Sequence, residues 1–383
     1  MSNLVASLKN LFKPVEKLPA GMYHYQSPQE DPRNYRLHLR IEPDGNGILI
    51  VNASTVLHLN QTATEYAYHL IKNTSPQETA RTISSRYRID PNQALSDYQD
   101  FTDRINDLIN TPDLDPETFL GFERDTPYSK VTTGPFRLDC AITYQLPSYA
   151  DPNLAPTKRV SRELTTDEWK QVLDKAWQAG IPHIIFTGGE PTLRNDLVDL
   201  IAHAEENGQV SGLCTDGIRF CDIQYLNSLL QTGLDHILFV LHPENQASWE
   251  ALNNVLNEDV FVAVHLTISP NSKDIIQSLN QFRDMHVPAI SLSATPDTPP
   301  EILAEARERA AQLQLDLVWD IPVPYSSMNP IAMELENDEK PQGAGRAWLY
   351  VEPDGDVLAS QGLPQVLGNF LSDPWEKIWS SIP

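Results

Sequence analysis

The stretch FTGGEPTL, residues 186–193, decides how this chain of 383 residues is read. It continues the apolar run HIIF, residues 183–186, so it stands at the C-terminal end of a strand. Two adjacent glycines, Gly188 and Gly189, let the backbone come close to another group. Glu190 then supplies a carboxylate and Pro191 fixes the exit. Such a loop can hold an amino group through backbone carbonyls and a side-chain acceptor. A Gly-Gly turn is also often only a turn.

On both sides of this loop, strand and helix patterns alternate. Apolar runs near 137–144, 183–187, 210–215, 236–241, 261–268, 289–293 and 315–321 read as strands. The segments between them carry helix signals. Thr165 and Glu168 form a capping box, and Trp169, Val172, Leu173, Ala176 and Trp177 share a face that Gly180 ends. Asn195 or Asp196 opens the next helix, with Leu197, Leu200, Ile201 and Ala204 on one side and Gly208 at its end. Thr298, Pro299 and Glu301 start another. Regular βα alternation predicts an α/β fold, a partial (β/α) barrel of six units over 136–335.

Further out, the pattern changes. In residues 36–59, Arg36, His38 and Arg40 alternate with Leu37, Leu39 and Ile41, and PDGNG is turn chemistry. Three helices follow, near 61–72, 76–86 and 91–110. The third opens on Asp90 as N-cap with Pro91 at its first position. Its stripe is Leu95, Tyr98, Phe101, Ile105 and Leu108. Residues 21–112 are therefore a β-meander followed by three helices. A helical arm, 1–20, precedes them, with Leu4, Leu8, Leu11 and Phe12 on one face. A proline-dotted linker, 113–135, follows. The last region, 336–383, places the turn EPDGD between short strands.

Composition excludes some functions. The charge balance is 28 − 52 = −24, which opposes phosphate binding, so no nucleic-acid partner is expected. The three cysteines, Cys140, Cys214 and Cys221, give no disulfide framework and suit a reducing cytoplasm. No stretch approaches the ~18 apolar residues of a membrane span.

These phrases together resemble a known family. FTGGEPTL is similar to the GGEP loop of radical S-adenosylmethionine (radical SAM) enzymes, where it holds the amino group of the methionine moiety. RLDCAITY, 137–144, resembles their first barrel strand, and CTDGIRF, 214–220, the end of their third. The tail from GAGRAWLYVEPDGD onward resembles their SPASM or twitch extension. Residues 21–112 resemble a PqqD-like winged-helix domain, which recognises precursor peptides of ribosomally made, modified peptides. The resemblance implies a leader peptide added as a strand beside 55–59, with Val56, His58, Tyr98 and Phe101 as its contacts. It also makes the Gly188-Gly189-Glu190-Pro191 loop the cofactor-binding segment.

The chain departs from this family at a defined place. Members carry CxxxCxxC directly after the first strand, and those thiolates hold an iron–sulfur cluster. In ITYQLPSYADPN, residues 142–153, the three positions are Leu146, Ala150 and Asn153. None supplies a thiolate. Cys140, Cys214 and Cys221 lie on different elements and read as structural. In the tail, Gly343 and Ser360 stand near the places of auxiliary cluster ligands. After the fourth strand, Val240-Leu241-His242-Pro243 replaces a Ser-Leu-Asp phrase. His242, His265 and Asp139 form no known metal-ligand spacing. Trp319 and Asp320 are candidates for the barrel mouth, and Trp348, Trp375 and Trp379 for packing of the tail.

The resulting expectation is a pseudoenzyme with no cofactor and no metal. Its partners would be a precursor peptide and an active radical SAM homologue. The alternatives are an enzyme with non-radical, SAM- or metal-dependent chemistry in the same barrel, and an active radical enzyme. Leu146 and Tyr149 are the residues to plug the barrel mouth where the cluster would stand.

Overall fold

The computed structural model describes residues 15–28, 30–52, 55–111, 114, 132–150, 155–156, 158–270, 275–295, 297–317 and 343–382. Leu4, Leu8, Leu11, Phe12, Asn153, Trp319, Asp320 and most of the linker lie outside them. The chain divides into two units, Met1–Thr132 and Thr133–Pro383.

In the first unit, β1 (Gly21–Gln26), β2 (Arg36–Ile41), β3 (Gly47–Val51) and β4 (Thr55–Leu59) form an antiparallel sheet in that order. The strand β1 has no counterpart in the sequence reading. Three helices follow: α1 (Gln61–Ile71), α2 (Pro76–Tyr87) and α3 (Pro91–Asn110). Asn60, Ser75 and Asp90 cap them by accepting from backbone N–H groups of the first turn. The core joins Leu39, Leu49 and Leu57 of the sheet to Tyr66, Ile83, Tyr98 and Phe101 of the helices. Alternation along β2 alone would leave one face wet. Arg36, His38 and Arg40 are nonetheless buried, and Arg40 Nε meets Glu42 at 3.1 Å.

In the second unit, six parallel strands alternate with helices. They are β5 (Arg137–Thr143), β6 (His183–Gly188), β7 (Val210–Thr215), β8 (His236–Val240), β9 (Phe261–Ile268) and β10 (Ala289–Ala294). The helices are α4 (Thr166–Gln178), α5 (Leu197–Asn207), α6 (Ile223–Leu230), α7 (Gln246–Leu256), α8 (Ile275–Asp284) and α9 (Pro300–Gln312). The tail adds β11 (Trp348–Val351), β12 (Asp356–Leu358), β13 (Val366–Asn369) and α10 (Trp375–Ser380). The sheet order is β10-β9-β8-β7-β6-β5-β11-β12-β13, with β11 parallel to β5. Leu317 makes one further parallel bridge, to Ile290; the rest of the seventh expected strand lies outside the described residues.

Strand alternation gives this sheet two buried faces. Leu138, Cys140 and Ile142 of β5 pack on the helix side with Trp169 and Leu173. Ile185, Cys214, Leu238, Ala263 and Ala289 meet on the inner side. Each fully buried side chain of Leu or Phe size contributes about 1.5–3 kcal/mol. The capping box at Thr165 and Glu168 is present. Thr298 does not cap α9. Its hydroxyl instead donates to Ile268 O at 3.1 Å, and α9 begins at Pro300 without a side-chain cap. Among the described residues, no helix is long and apolar enough to cross a membrane.

Candidate functional site

The loop after β6 closes against the loop after β5. Gly189 N–H donates to Thr143 O at 2.7 Å and Glu190 N–H to Gln145 O at 2.8 Å. A Cβ on Gly188 would meet Thr143 O at 2.1 Å, and one on Gly189 would meet Gln145 O at 2.1 Å. Gly188 also has φ +128°, which disfavours an L side chain. Both glycines are therefore required by packing, whatever else they do.

This closure sets Glu190 in the interior, 3% exposed. Its carboxylate accepts from Thr192 N at 2.9 Å, Thr192 Oγ1 at 2.5 Å, Thr215 Oγ1 at 2.6 Å and Asp216 N at 2.9 Å. Asp216 accepts from Ile218 N at 3.0 Å and from the Tyr149 hydroxyl. All of these donors are neutral. Burial, and then the neighbouring Asp216, push the Glu190 carboxyl up to about 7. Thr187, on the inner face of β6 next to Gly188, is fully buried, and its hydroxyl finds no nitrogen or oxygen partner. The Cys214 thiol is its neighbour.

Among the described residues no cation is placed on these two carboxylates, which suits a ligand carrying an ammonium. The amino-acid end of S-adenosylmethionine has that group. Glu190 and Asp216 are the residues that would hold it.

A thiolate-held iron–sulfur cluster does not fit the residues present. Leu146 packs with Ala141, Tyr144, Ala155, Tyr350 and Leu358. Ala150 N–H closes a turn on Pro147 O at 3.0 Å. Cys140 and Cys214 lie on opposite faces of the sheet, and burial pushes both thiols up, away from the thiolate. The Cys221 thiol donates to Ala247 O at 3.4 Å. Among the described residues, no group of three His, Cys, Asp or Glu side chains is placed to hold a metal ion.

The loop that replaces the cysteines is fastened at several points. Tyr144 Oη donates to Glu352 Oε1 at 2.8 Å, and Arg159 Nε to Glu352 Oε2 at 2.7 Å. Glu163 accepts from Thr143 Oγ1 at 2.9 Å and Tyr144 N at 2.8 Å. Tyr149 reaches to Asp216, and its ring meets that of His242 edge-on at 6.5 Å. Thus Tyr149 lies across the strand ends, whereas Leu146 packs toward the tail.

The candidate triad of His242, His265 and Asp139 is not brought together. Asp139 pairs with Arg137 at 2.8 Å at the start of β5. His265 sits within hydrogen-bond distance of Ser291 at 3.1 Å, Ser293 at 3.0 Å and Thr267 at 3.2 Å. Burial pushes its imidazole down to about 4. This hydroxyl cluster escaped the sequence reading. Its signal was the matched spacing of His265 and Thr267 on β9 with Ser291 and Ser293 on β10.

In the first unit, β4 is an edge strand of the described sheet. Val56 and His58 lie on one face of it, opposite Ile50 and Ile48 of β3. Tyr98 and Phe101 instead belong to the core. Their ring centroids lie 5.8 Å and 6.1 Å from that of Tyr66, and both are under a tenth exposed.

Comparison with known proteins agrees with the fold. Residues 140–243 match the family model of the Radical SAM superfamily. The PqqA peptide cyclase of Bradyrhizobium diazoefficiens is 42% identical over 79 residues, 21% of this chain and 20% of that protein. The PqqA peptide cyclase of Rhizobium meliloti is 27% identical over 284 residues, 63% of this chain and 73% of that protein. The first alignment thus spans a fifth of the relative's length.

Among solved structures, Streptococcus suis SuiB bound to S-adenosylmethionine has a TM-score of 0.56 at 13% identity, over 93% of this chain and 88% of that chain. SuiB bound to its precursor peptide SuiA matches with the same figures, TM-score 0.56 and 13% identity. At this identity the likeness concerns the fold. The expectation of a chain without cofactor is overturned here, since the matched family is a radical SAM family and SuiB has been solved with S-adenosylmethionine bound. Residues 140–243 thus carry a domain of the Radical SAM superfamily, and the chain is similar over a larger part of its length to PqqA peptide cyclases.

Proposed function

We propose that this protein acts in the maturation of a ribosomally made peptide. It recognises the precursor, binds S-adenosylmethionine in its barrel, and leaves radical generation to a partner homologue. The observation that carries this division of labour is the loop after β5. It has Leu146, Ala150 and Asn153 at the thiolate positions, while the Glu190 loop is intact.

Residues 21–112 are the PqqD-like recognition domain in this reading. The leader adds as a strand on the edge of β4, taking main-chain hydrogen bonds there, with Val56 and His58 beside it. Residues 136–335 are the barrel, and 336–383 are the twitch-like cap.

Calorimetry with candidate precursor peptides, together with pull-down of a homologue that has all three cysteines, tests the proposal. Binding of the peptide is expected, with capture of the homologue. Absence of both interactions defeats the reading. A brown protein that carries iron and sulfide after anaerobic reconstitution, and consumes S-adenosylmethionine, defeats the division of labour alone.

A second reading rests on Glu190, whose carboxyl is pushed up to about 7 and so stands ready for proton transfer near neutral pH. Here the protein modifies the peptide itself, using S-adenosylmethionine without radical chemistry. A mass change on the peptide in the absence of any homologue distinguishes this reading from the first.

A further inference from the structure

Tyr149 comes from the loop after β5 and precedes Ala150, one of the positions where the family carries a cysteine. Its hydroxyl is held by Asp216 at the end of β7, yet 54% of its surface is exposed. The ring also meets His242 edge-on beyond β8. A tethered hydroxyl with a bare ring presents an aromatic face at a fixed place. That place adjoins the Asp216 carboxylate, and the backbone N–H of Asp216 donates to the Glu190 carboxylate at 2.9 Å.

An organic cation is attracted by an aromatic face, and more strongly when carboxylates stand next to it. Among the described residues, no cation is placed on this pair. Close by, the fully buried Thr187 hydroxyl has the Cys214 thiol as its neighbour. An aromatic face beside two carboxylates matches the ammonium of an α-amino acid. The adenosine part of S-adenosylmethionine has no such group.

We propose that Tyr149 is a binding residue for the amino-acid end of S-adenosylmethionine. Its ring packs on the ammonium, and its hydroxyl holds Asp216 as counter-charge beside Glu190. The inference rests on the reading that the barrel binds S-adenosylmethionine.

Calorimetry on the full-length protein with three probes tests it. S-adenosylmethionine and S-adenosylhomocysteine carry the amino-acid end, whereas 5′-methylthioadenosine lacks it. Tyr149→Ala is expected to weaken the first two by about tenfold, the size of a partly desolvated cation–aromatic contact, and to leave the third unchanged. Tyr149→Phe keeps the ring and frees Asp216, so its loss falls between. Because the side chain is mostly exposed, melting temperatures of both variants should stay at the wild-type value.

Equal or tighter binding of S-adenosylmethionine by Tyr149→Ala would make the ring a spectator or a plug and overturn the proposal. Equal weakening of all three probes would also overturn it. If the wild-type protein binds none of the three, the S-adenosylmethionine reading itself falls. If it binds them and Tyr149→Ala behaves like wild type, only the role of Tyr149 falls.

Discussion

Replacing Gly189 with alanine asks whether the double glycine serves the fold or only a ligand. The added Cβ would stand 2.1 Å from Gln145 O and 2.9 Å from both Gln145 C and Tyr144 C. All three are backbone atoms, so no side chain can swing away. Overpacking of this kind costs about 1–3 kcal/mol. Relief requires the two loops to part. That strains the bonds from Gly189 N to Thr143 O at 2.7 Å and from Glu190 N to Gln145 O at 2.8 Å. Each such bond contributes about 1 kcal/mol. Together the loss is about 3–5 kcal/mol. For a unit of this size, 1 kcal/mol moves the melting temperature by about 2–4 °C, so a fall of about 10 °C is expected. Thermal unfolding of the ligand-free protein, followed by circular dichroism, measures it. A fall below about 2 °C would refute the packing argument, because a glycine kept only for ligand approach leaves the free protein unaffected.

Other substitutions probe the remaining contacts. Glu190 has its folded pKa raised from 4.5 to about 7 by burial and by Asp216, so its ionised form opposes folding. Its contribution is nil below the ordinary carboxylate range, and stability falls as pH rises from there through about 7. Glu190→Gln, which does not titrate, flattens that decline in urea midpoints taken across the window; parallel profiles for the two proteins would contradict the assignment. Glu352→Ala removes the acceptor of Tyr144 and Arg159. Since Arg159 is partly exposed, the cost is about 2–3 kcal/mol, read as a lower urea midpoint, and Arg159→Ala should cost less. Val56→Asp should lower precursor-peptide affinity at least about tenfold without changing the melting temperature, and unchanged binding would remove β4 as the docking edge.

Much of the fold was legible because it rests on short-range rules. The Thr165–Glu168 capping box, the Asp90-Pro91 helix start and the alternation of Leu138, Cys140 and Ile142 are local signals, and each appears as expected. Thr298 shows the limit of such rules. Its hydroxyl had a tertiary acceptor, Ile268 O, that outcompeted the N-cap role. Tyr98 and Phe101 show another. A helical stripe marks which residues are apolar and leaves open whether they face a core or a peptide, and here Tyr66 takes them. The site was legible only at Glu190. Thr187, Asp216 and Tyr149 join it through the parallel register of β5, β6 and β7, which no single stretch of sequence encodes.

The Gly188–Pro191 segment is thus kept for two separable reasons, and they bear differently on function. Its glycines are explained by Thr143 O and Gln145 O alone, so their persistence is weak testimony for a ligand. Glu190 is different. A carboxylate that only tied loops together would cost less as a neutral amide or with a cation beside it, because burying charge without a counter-charge is expensive. Here Thr192, Thr215 and Asp216 offer only neutral donors, and a second carboxylate stands next to it. The chain tolerates that arrangement at a strand end where an aromatic ring is also left bare. The loop after β5 has Leu146, Ala150 and Asn153 where the resemblance implies thiolates, while Glu190 and Asp216 remain at the strand ends. A bound cation would favour the ionised form of Glu190, so Glu190 and Asp216, more than the glycines, are what support the proposed binding of S-adenosylmethionine.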